Sequence, residues 1–168
     1  MIKNEKNNLV TENKIINYYK VHKLKINSIL SIFLSILILF FILEQKKVKE
    51  NNLASEKYIK AGVLLNLKNN VQATNLYEEV ITSNNKFYSL LALNTIIEKD
   101  LIQNEKKILK YFQTLEDLNV NRNNQDLILF KKALYLLDIK KNKEGKILLQ
   151  NLINRNSILK NIAEEIIK

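Results

Sequence analysis

The sequence predicts an all-α chain: a single transmembrane helix followed by a solenoid of short α-hairpins. Three observations carry this. Residues Ile26–Leu43, INSILSIFLSILILFFIL, form a run of 18 residues without a charge. From Glu44 onward, apolar residues recur at helical spacing between Asn-rich joints. The chain has no Pro and only two Gly, which argues against a sheet-rich fold with tight turns.

Residues 1–25 read as a basic cytoplasmic leader, with six Lys and two Glu. The first dozen, MIKNEKNNLVTE, are polar and are expected to be irregular. Thr11 to Lys25 is expected to form a short helix. Tyr18 and Tyr19 lie one to two turns ahead of the apolar run, where a ring that is apolar with a wet hydroxyl suits the membrane interface. They are the candidate interfacial anchors. His22 is the only histidine and has no carboxylate or Cys nearby, so it is a flank residue.

Residues 26–43 are the predicted transmembrane helix. At 1.5 Å per residue the run covers about 27 Å, against a hydrocarbon core of about 30 Å. It is apolar on every face, and its polar members Asn27, Ser28, Ser31 and Ser35 are small enough to bond to their own helical backbone. A signal peptide is the competing reading. Against it stand the long leader and the direct passage into Glu44-Gln45-Lys46-Lys47, with no small-x-small cleavage site. The leader has a net +4, with Lys14, Lys20, Lys23 and Lys25 close to the span, against five Lys and three Glu over Glu44–Lys60, a modest bias that favours a cytoplasmic N-terminus and an exported C-terminal part. Lys46, Lys47 and Lys49 weigh the other way.

Residues 44–168 form the predicted exported helical domain, large enough for a core of its own. Helices are predicted at about 50–67, 70–83, 86–99, 103–118, 124–140, 142–154 and 157–167. The joints are marked by Asn69-Asn70, Asn84-Asn85, Asn119 to Asn124 and Asn154 to Asn156. Asn tolerates left-handed backbone and caps helices, so it takes the place of Gly and Pro here. Short helices on short joints favour antiparallel neighbours.

The last pair is the clearest hairpin. Leu129, Ala133 and Leu136 share one face of its first helix, and Gly145, Leu149 and Leu152 share one face of its second. Ala133 and Gly145 are small and 12 residues apart, so the two helices can approach closely. This spacing resembles the tetratricopeptide repeat, although the repeat's Trp and terminal Pro are missing. Ala61, Leu64, Ala73, Tyr77 and Val80 show the same spacing. A looser middle unit has Tyr88 and Ala92, then Ile108, Phe112 and Leu115, with about four extra residues between. Three degenerate tetratricopeptide-like hairpins with a capping helix, Ser157–Ile167, are therefore expected. An irregular helical bundle without a groove is the alternative.

No enzyme is expected. The exported part has no His and no Cys, which removes most nucleophile–base pairs and most transition-metal sites. The acidic pairs Glu78-Glu79, Glu116-Asp117 and Glu164-Glu165 are adjacent on helices and point apart, so they are read as surface charge. Gly62 and Gly145 lie within helices and form no phosphate-cradling loop. No catalytic residue, cofactor or metal site is assigned. The formal charge of +10 is carried by Lys spread along helices and mixed with Glu, so no nucleic acid is expected as a partner.

The layout as a whole, a basic leader with Tyr18-Tyr19, one span and a degenerate repeat domain, resembles the ancillary subunit family of the bacterial SecYEG translocon. Within the domain the likeness is carried by Tyr88, Ser89, Leu91 and Ala92, which match that family's Tyr-small-x-Leu-Ala helix, and by Ala133 to Leu152. The resemblance implies a single-pass protein of the bacterial inner membrane with a periplasmic domain. It also implies a protein-binding scaffold whose partners are the translocon, periplasmic chaperones or emerging chains. In stacked hairpins the first helices line a groove suited to extended peptides. Tyr58, Lys60, Tyr88, Asn94 and Lys131 are the candidate groove residues. Two other readings stay open: a self-associating structural or assembly protein of the envelope, and a binder of anionic lipid or nucleic acid through surface Lys.

Overall fold

The computed structural model describes the backbone from Ile2 to Lys168 and the side chains of residues 21–25 and 27–168. The chain divides into two compact units, Met1–Lys49 and Glu50–Lys168. The described residues are helical, with no strand among them. The first helix, α1 (Ile2–Asn66), is 65 residues long and contributes residues 50–66 to the second unit.

In the first unit α1 is long and apolar enough to cross a membrane. Over residues 29–43 its large apolar side chains are open to the surroundings, from 48% at Leu37 to 68% at Ile29. A core helix of a soluble domain would have buried one face. The Ser35 hydroxyl donates to the Ser31 carbonyl at 2.9 Å, so this polar group is satisfied within the helix. The polar opening expected to be irregular belongs to α1 from Ile2 onward. No Gly or Pro occurs before Gly62, so nothing in the sequence stops helix propagation. The side chains of Tyr18 and Tyr19 lie outside those described.

The second unit adds α2 (Asn70–Thr82), α3 (Tyr88–Glu98), α4 (Glu105–Glu116), α5 (Arg122–Asp138), α6 (Asn142–Asn154) and α7 (Lys160–Ile167). Each lies within a few residues of its predicted bounds. The joints after α1 and α5 are three residues long, those after α2, α4 and α6 are five, and that after α3 is six. The long α3–α4 joint accounts for the extra residues in the middle of the sequence pattern.

The joints use Asn differently from the sequence expectation. Left-handed backbone falls on Lys68, Asn84, Asp100, Lys140 and Asn156, so only two of the five are Asn. At Lys68 and Lys140 the bonds Asn69 N–H to Leu64 C=O (2.9 Å) and Lys141 N–H to Leu136 C=O (2.8 Å) close a Schellman motif. The other Asn residues act at helix starts. Side-chain oxygens of Asn69, Asn104 and Asn121 accept from the backbone N–H of Gln72, Lys107 and Asn124.

Two apolar cores result. The first joins the end of α1 to α2, α3 and α4 through Ala61, Ala73, Tyr77, Ala92, Ile108 and Phe112. The second joins α5, α6 and α7 through Phe130, Ala133, Leu149, Leu152 and Ala163. Helix α5 serves both: Ile128 and Tyr135 pack on the first, Phe130 and Ala133 on the second. Gly145 is buried against α5. A Cβ there would lie 2.9 Å from Leu137 and 3.0 Å from the Ala133 carbonyl oxygen, so these helices do approach closely.

Candidate interaction cleft

The five groove residues fall in three places. Tyr58, on α1, is half-buried, with its ring 5.5 Å from that of Tyr77 and 5.8 Å from that of Tyr88. Its hydroxyl lies 3.4 Å from the Thr95 hydroxyl, which itself donates to the Leu91 carbonyl. Tyr58 and Tyr88 are thus a packed aromatic joint between α1, α2 and α3, and much of their surface is covered. Lys60 is exposed on another face of α1, beside Asn52, Glu56 and Ile59 along an open depression.

Asn94 and Lys131 come together. Asn94 stands on α3 and Lys131 on α5, and both line a cleft of about 170 Å³ between these helices. Its apolar floor is Ile97, Leu134 and Tyr135, at the seam of the two cores. Glu98 and Asp138 complete the lining. These five residues are absent from the sequence assignment, yet each lies three, four or seven positions after Asn94 or Lys131. Following the helical period from the assigned residues finds them.

The Tyr135 hydroxyl ionises above the ordinary tyrosine range, first because it is buried and then because Glu105, Asp138 and Asp100 add negative charge around it. Lys141 pairs with Glu105 at 3.3 Å on the same side. Among the described residues, neither Glu98 nor Asp138 has a cation within ion-pair distance, and Lys131 has no carboxylate within it.

A wider polar depression of about 470 Å³ lies between α2 and the α3–α4 joint. Its charges are already matched. Glu78 pairs with Lys107 and accepts a hydrogen bond from Tyr111. Burial and this bond to a carboxylate push the Tyr111 phenol well above its usual range. Burial likewise raises Tyr77, with Tyr58 adding to it.

Three of the acidic residues expected to be surface charge, Glu78, Glu79 and Glu116, also tie helices together. Glu79 pairs with Lys57 at 2.7 Å and Glu116 with Lys132 at 2.8 Å, linking α2 to α1 and α4 to α5. Two buried polar groups tie helices together in a way that their place in the sequence does not announce. Ser89 donates to the Val80 carbonyl at 2.8 Å and fastens α3 to α2. Asp126, 1% exposed at the start of α5, pairs with Arg155 at the end of α6. Arg122 reinforces the same junction by donating to the Arg155 carbonyl.

The described residues contain no group of three or more His, Cys, Asp or Glu placed to hold a metal ion. No family model, curated protein or solved structure matches this chain.

Proposed function

We propose that the chain is a single-pass membrane scaffold for protein–protein interaction, anchored through Ile26–Leu43. Its N-terminus lies in the cytoplasm and its helical unit lies on the far side of a bacterial inner membrane. In this reading the helical unit is a stack of degenerate tetratricopeptide-like hairpins, and it meets emerging chains or chaperones beside the Sec translocon.

One observation carries the reading: Asn94 and Lys131, from the first helices of successive hairpins, line the same cleft. A groove built from such helices is how hairpin stacks hold peptide segments. Two features agree with it. Three-residue joints close the first and last hairpins, and five-residue joints connect hairpin to hairpin. Small residues 12 apart, Ala61 with Ala73 and Ala133 with Gly145, are buried in both of those hairpins.

The test combines topology with contact. In sealed membrane vesicles, protease added from the cytoplasmic side should leave the helical unit intact and attached. A photo-cross-linker at position 94 or 131 should join it to translocon subunits or to chains in transit, while one at exposed Glu144 should not. A unit digested from the cytoplasmic side, or cross-links equal at all three positions, would overturn the proposal.

Self-association is the second reading, favoured by one observation. Ile59, Val63, Leu67 and Val71 form an exposed apolar row at 53–73% exposure along the end of α1 and the start of α2. Sedimentation of the detergent-solubilised chain over a range of concentrations separates the two.

A further inference from the structure

We infer that the cleft between α3 and α5 takes a short peptide segment that presents one apolar side chain next to a Lys or Arg, an occupant that presupposes the scaffold role proposed above. The size sets the first limit. Ligand pockets for cofactor-sized molecules run from about 300 Å³ upward, whereas an apolar cavity of about 150 Å³ holds a single benzene. At about 170 Å³ this cleft accepts one aliphatic or aromatic side chain, and Ile97, Leu134 and Tyr135 give it an apolar floor.

Charge sets the second limit. The chain carries a formal +10, and several of its carboxylates are matched by a lysine: Glu79 by Lys57, Glu116 by Lys132, Glu105 by Lys141. Glu98 and Asp138 line the cleft without such a partner among the described residues. Asp138 also joins Asp100 and Glu105 in surrounding the Tyr135 hydroxyl with negative charge.

The cleft is polarised along its length. Lys131 precedes Asp138 by seven residues on α5, about 10 Å at 1.5 Å per residue. On α3, Asn94 precedes Glu98 by one turn. On α5 the Lys131 end repels a cation and the Asp138 end attracts a basic side chain, while on α3 Asn94 offers an amide to peptide backbone and Glu98 a second carboxylate. A segment with an apolar side chain in the floor therefore gains most from a Lys or Arg on one side of it, and an acidic neighbour there is rejected.

The experiment is fluorescence anisotropy on the full chain in a neutral detergent at low salt. Three labelled octapeptides serve as probes: one with a central Leu flanked by Lys, one with Glu in place of Lys, and one keeping Lys but with Ser in place of Leu. The Lys–Leu peptide should bind about tenfold more tightly than either other, since each exposed ion pair is worth up to about fivefold and the apolar anchor adds to it. The variant carrying Glu98→Gln and Asp138→Asn, both exposed positions, should lose about fivefold for the Lys–Leu peptide and bind the Glu–Leu peptide more tightly than the parent does, because the repulsion is relieved. Equal binding of Lys–Leu and Glu–Leu peptides, or a Lys–Leu affinity that the double variant leaves intact, would overturn the charge preference while leaving the groove in place. Equal binding of Lys–Leu and Lys–Ser peptides would remove the apolar anchor. Failure of all three peptides to bind would remove both this occupant and the groove.

Discussion

The two glycines of this chain make opposite predictions when each is replaced by alanine. Gly62 lies half-buried in α1. An added Cβ would meet the Tyr77 hydroxyl oxygen at 3.6 Å, ordinary contact. Gly62→Ala should therefore show the intrinsic helix gain alone, about 1 kcal/mol. Gly145 lies in the first turn of α6, where the same Cβ would stand 2.9 Å from Leu137 Cγ and Cδ2 and 3.0 Å from the Ala133 carbonyl oxygen. Carbon atoms rest at about 3.5 Å or more, so α6 must retreat by roughly 0.6 Å or Leu137 must leave its place. The carbonyl belongs to the α5 backbone and cannot turn aside. Overpacking of this kind costs about 1–3 kcal/mol, and the helix gain offsets about 1 of it.

The expected net is about 1 kcal/mol destabilising for Gly145→Ala against about 1 kcal/mol stabilising for Gly62→Ala. For a unit of this size 1 kcal/mol moves the midpoint by about 4 °C. The two variants should thus melt about 8 °C apart, on either side of the parent, when thermal unfolding of the full chain in detergent is followed by circular dichroism. Leu137→Ala supplies the control, because it removes the atoms that the new methyl group meets. In that background Gly145→Ala should cost about 1 kcal/mol less, a coupling expected only of residues in contact. A Gly145→Ala protein that melts at or above the parent, or that shows no coupling to Leu137, would refute the close approach of α5 and α6.

Two further predictions follow from buried polar groups. Phenols at Tyr77, Tyr111 and Tyr135 are harder to ionise in the folded chain than in the unfolded one, so the stability they lend is complete below about pH 10 and drains away as pH rises through their raised folded values. Absorbance titration should show these three appearing only as helix is lost, and Tyr111→Phe should remove one of the late phenols; early titration of all tyrosines with helix intact would contradict this. At the α5–α6 junction, Arg155→Ala strands a carboxylate that is 1% exposed and should cost about 3 kcal/mol, whereas Asp126→Ala leaves a one-third-exposed guanidinium in reach of water and should cost about 1 kcal/mol. Denaturant midpoints check the order, and the pair Asp126→Leu with Arg155→Met should fall below Arg155→Ala alone in cost.

From Asn70 onward, helix number and order were legible because the chain states them twice, once by apolar period and once by polar joints. What the sequence hid was which joint residue does what. Asn is favoured both for left-handed backbone and for capping, so seeing Asn69 does not say which task it performs. Position relative to the last helical carbonyl decides, and that position belongs to Lys68, with Asn69 left to cap α2. The same ambiguity hid the tying role of the acidic residues. Glu78 and Glu79 are adjacent on one helix, and neighbours on a helix point about 100° apart. One therefore reaches Lys107 and the buried Tyr111 on α4, while the other reaches Lys57 on α1. Sequence alone showed that they could not converge on one atom, but not that each had a different helix to meet.

The cleft was half legible for a related reason. Asn94 and Lys131 lie on the first helices of two predicted hairpins, and they line one cleft between α3 and α5. Tyr58 and Tyr88 also lie on such helices, and their rings turn toward each other because a large aromatic side chain gains more from burial against Tyr77 than from an open groove. Polarity alone does not find the cleft either, since Lys60 lies exposed on another face of α1. The apolar floor escaped notice because Ile97, Leu134 and Tyr135 look the same in sequence whether they fill a core or line its edge. Here they stand at the seam where α5 divides its faces between two cores. Neither core closes over that seam, so apolar surface and charge without an ion-pair partner occur there side by side.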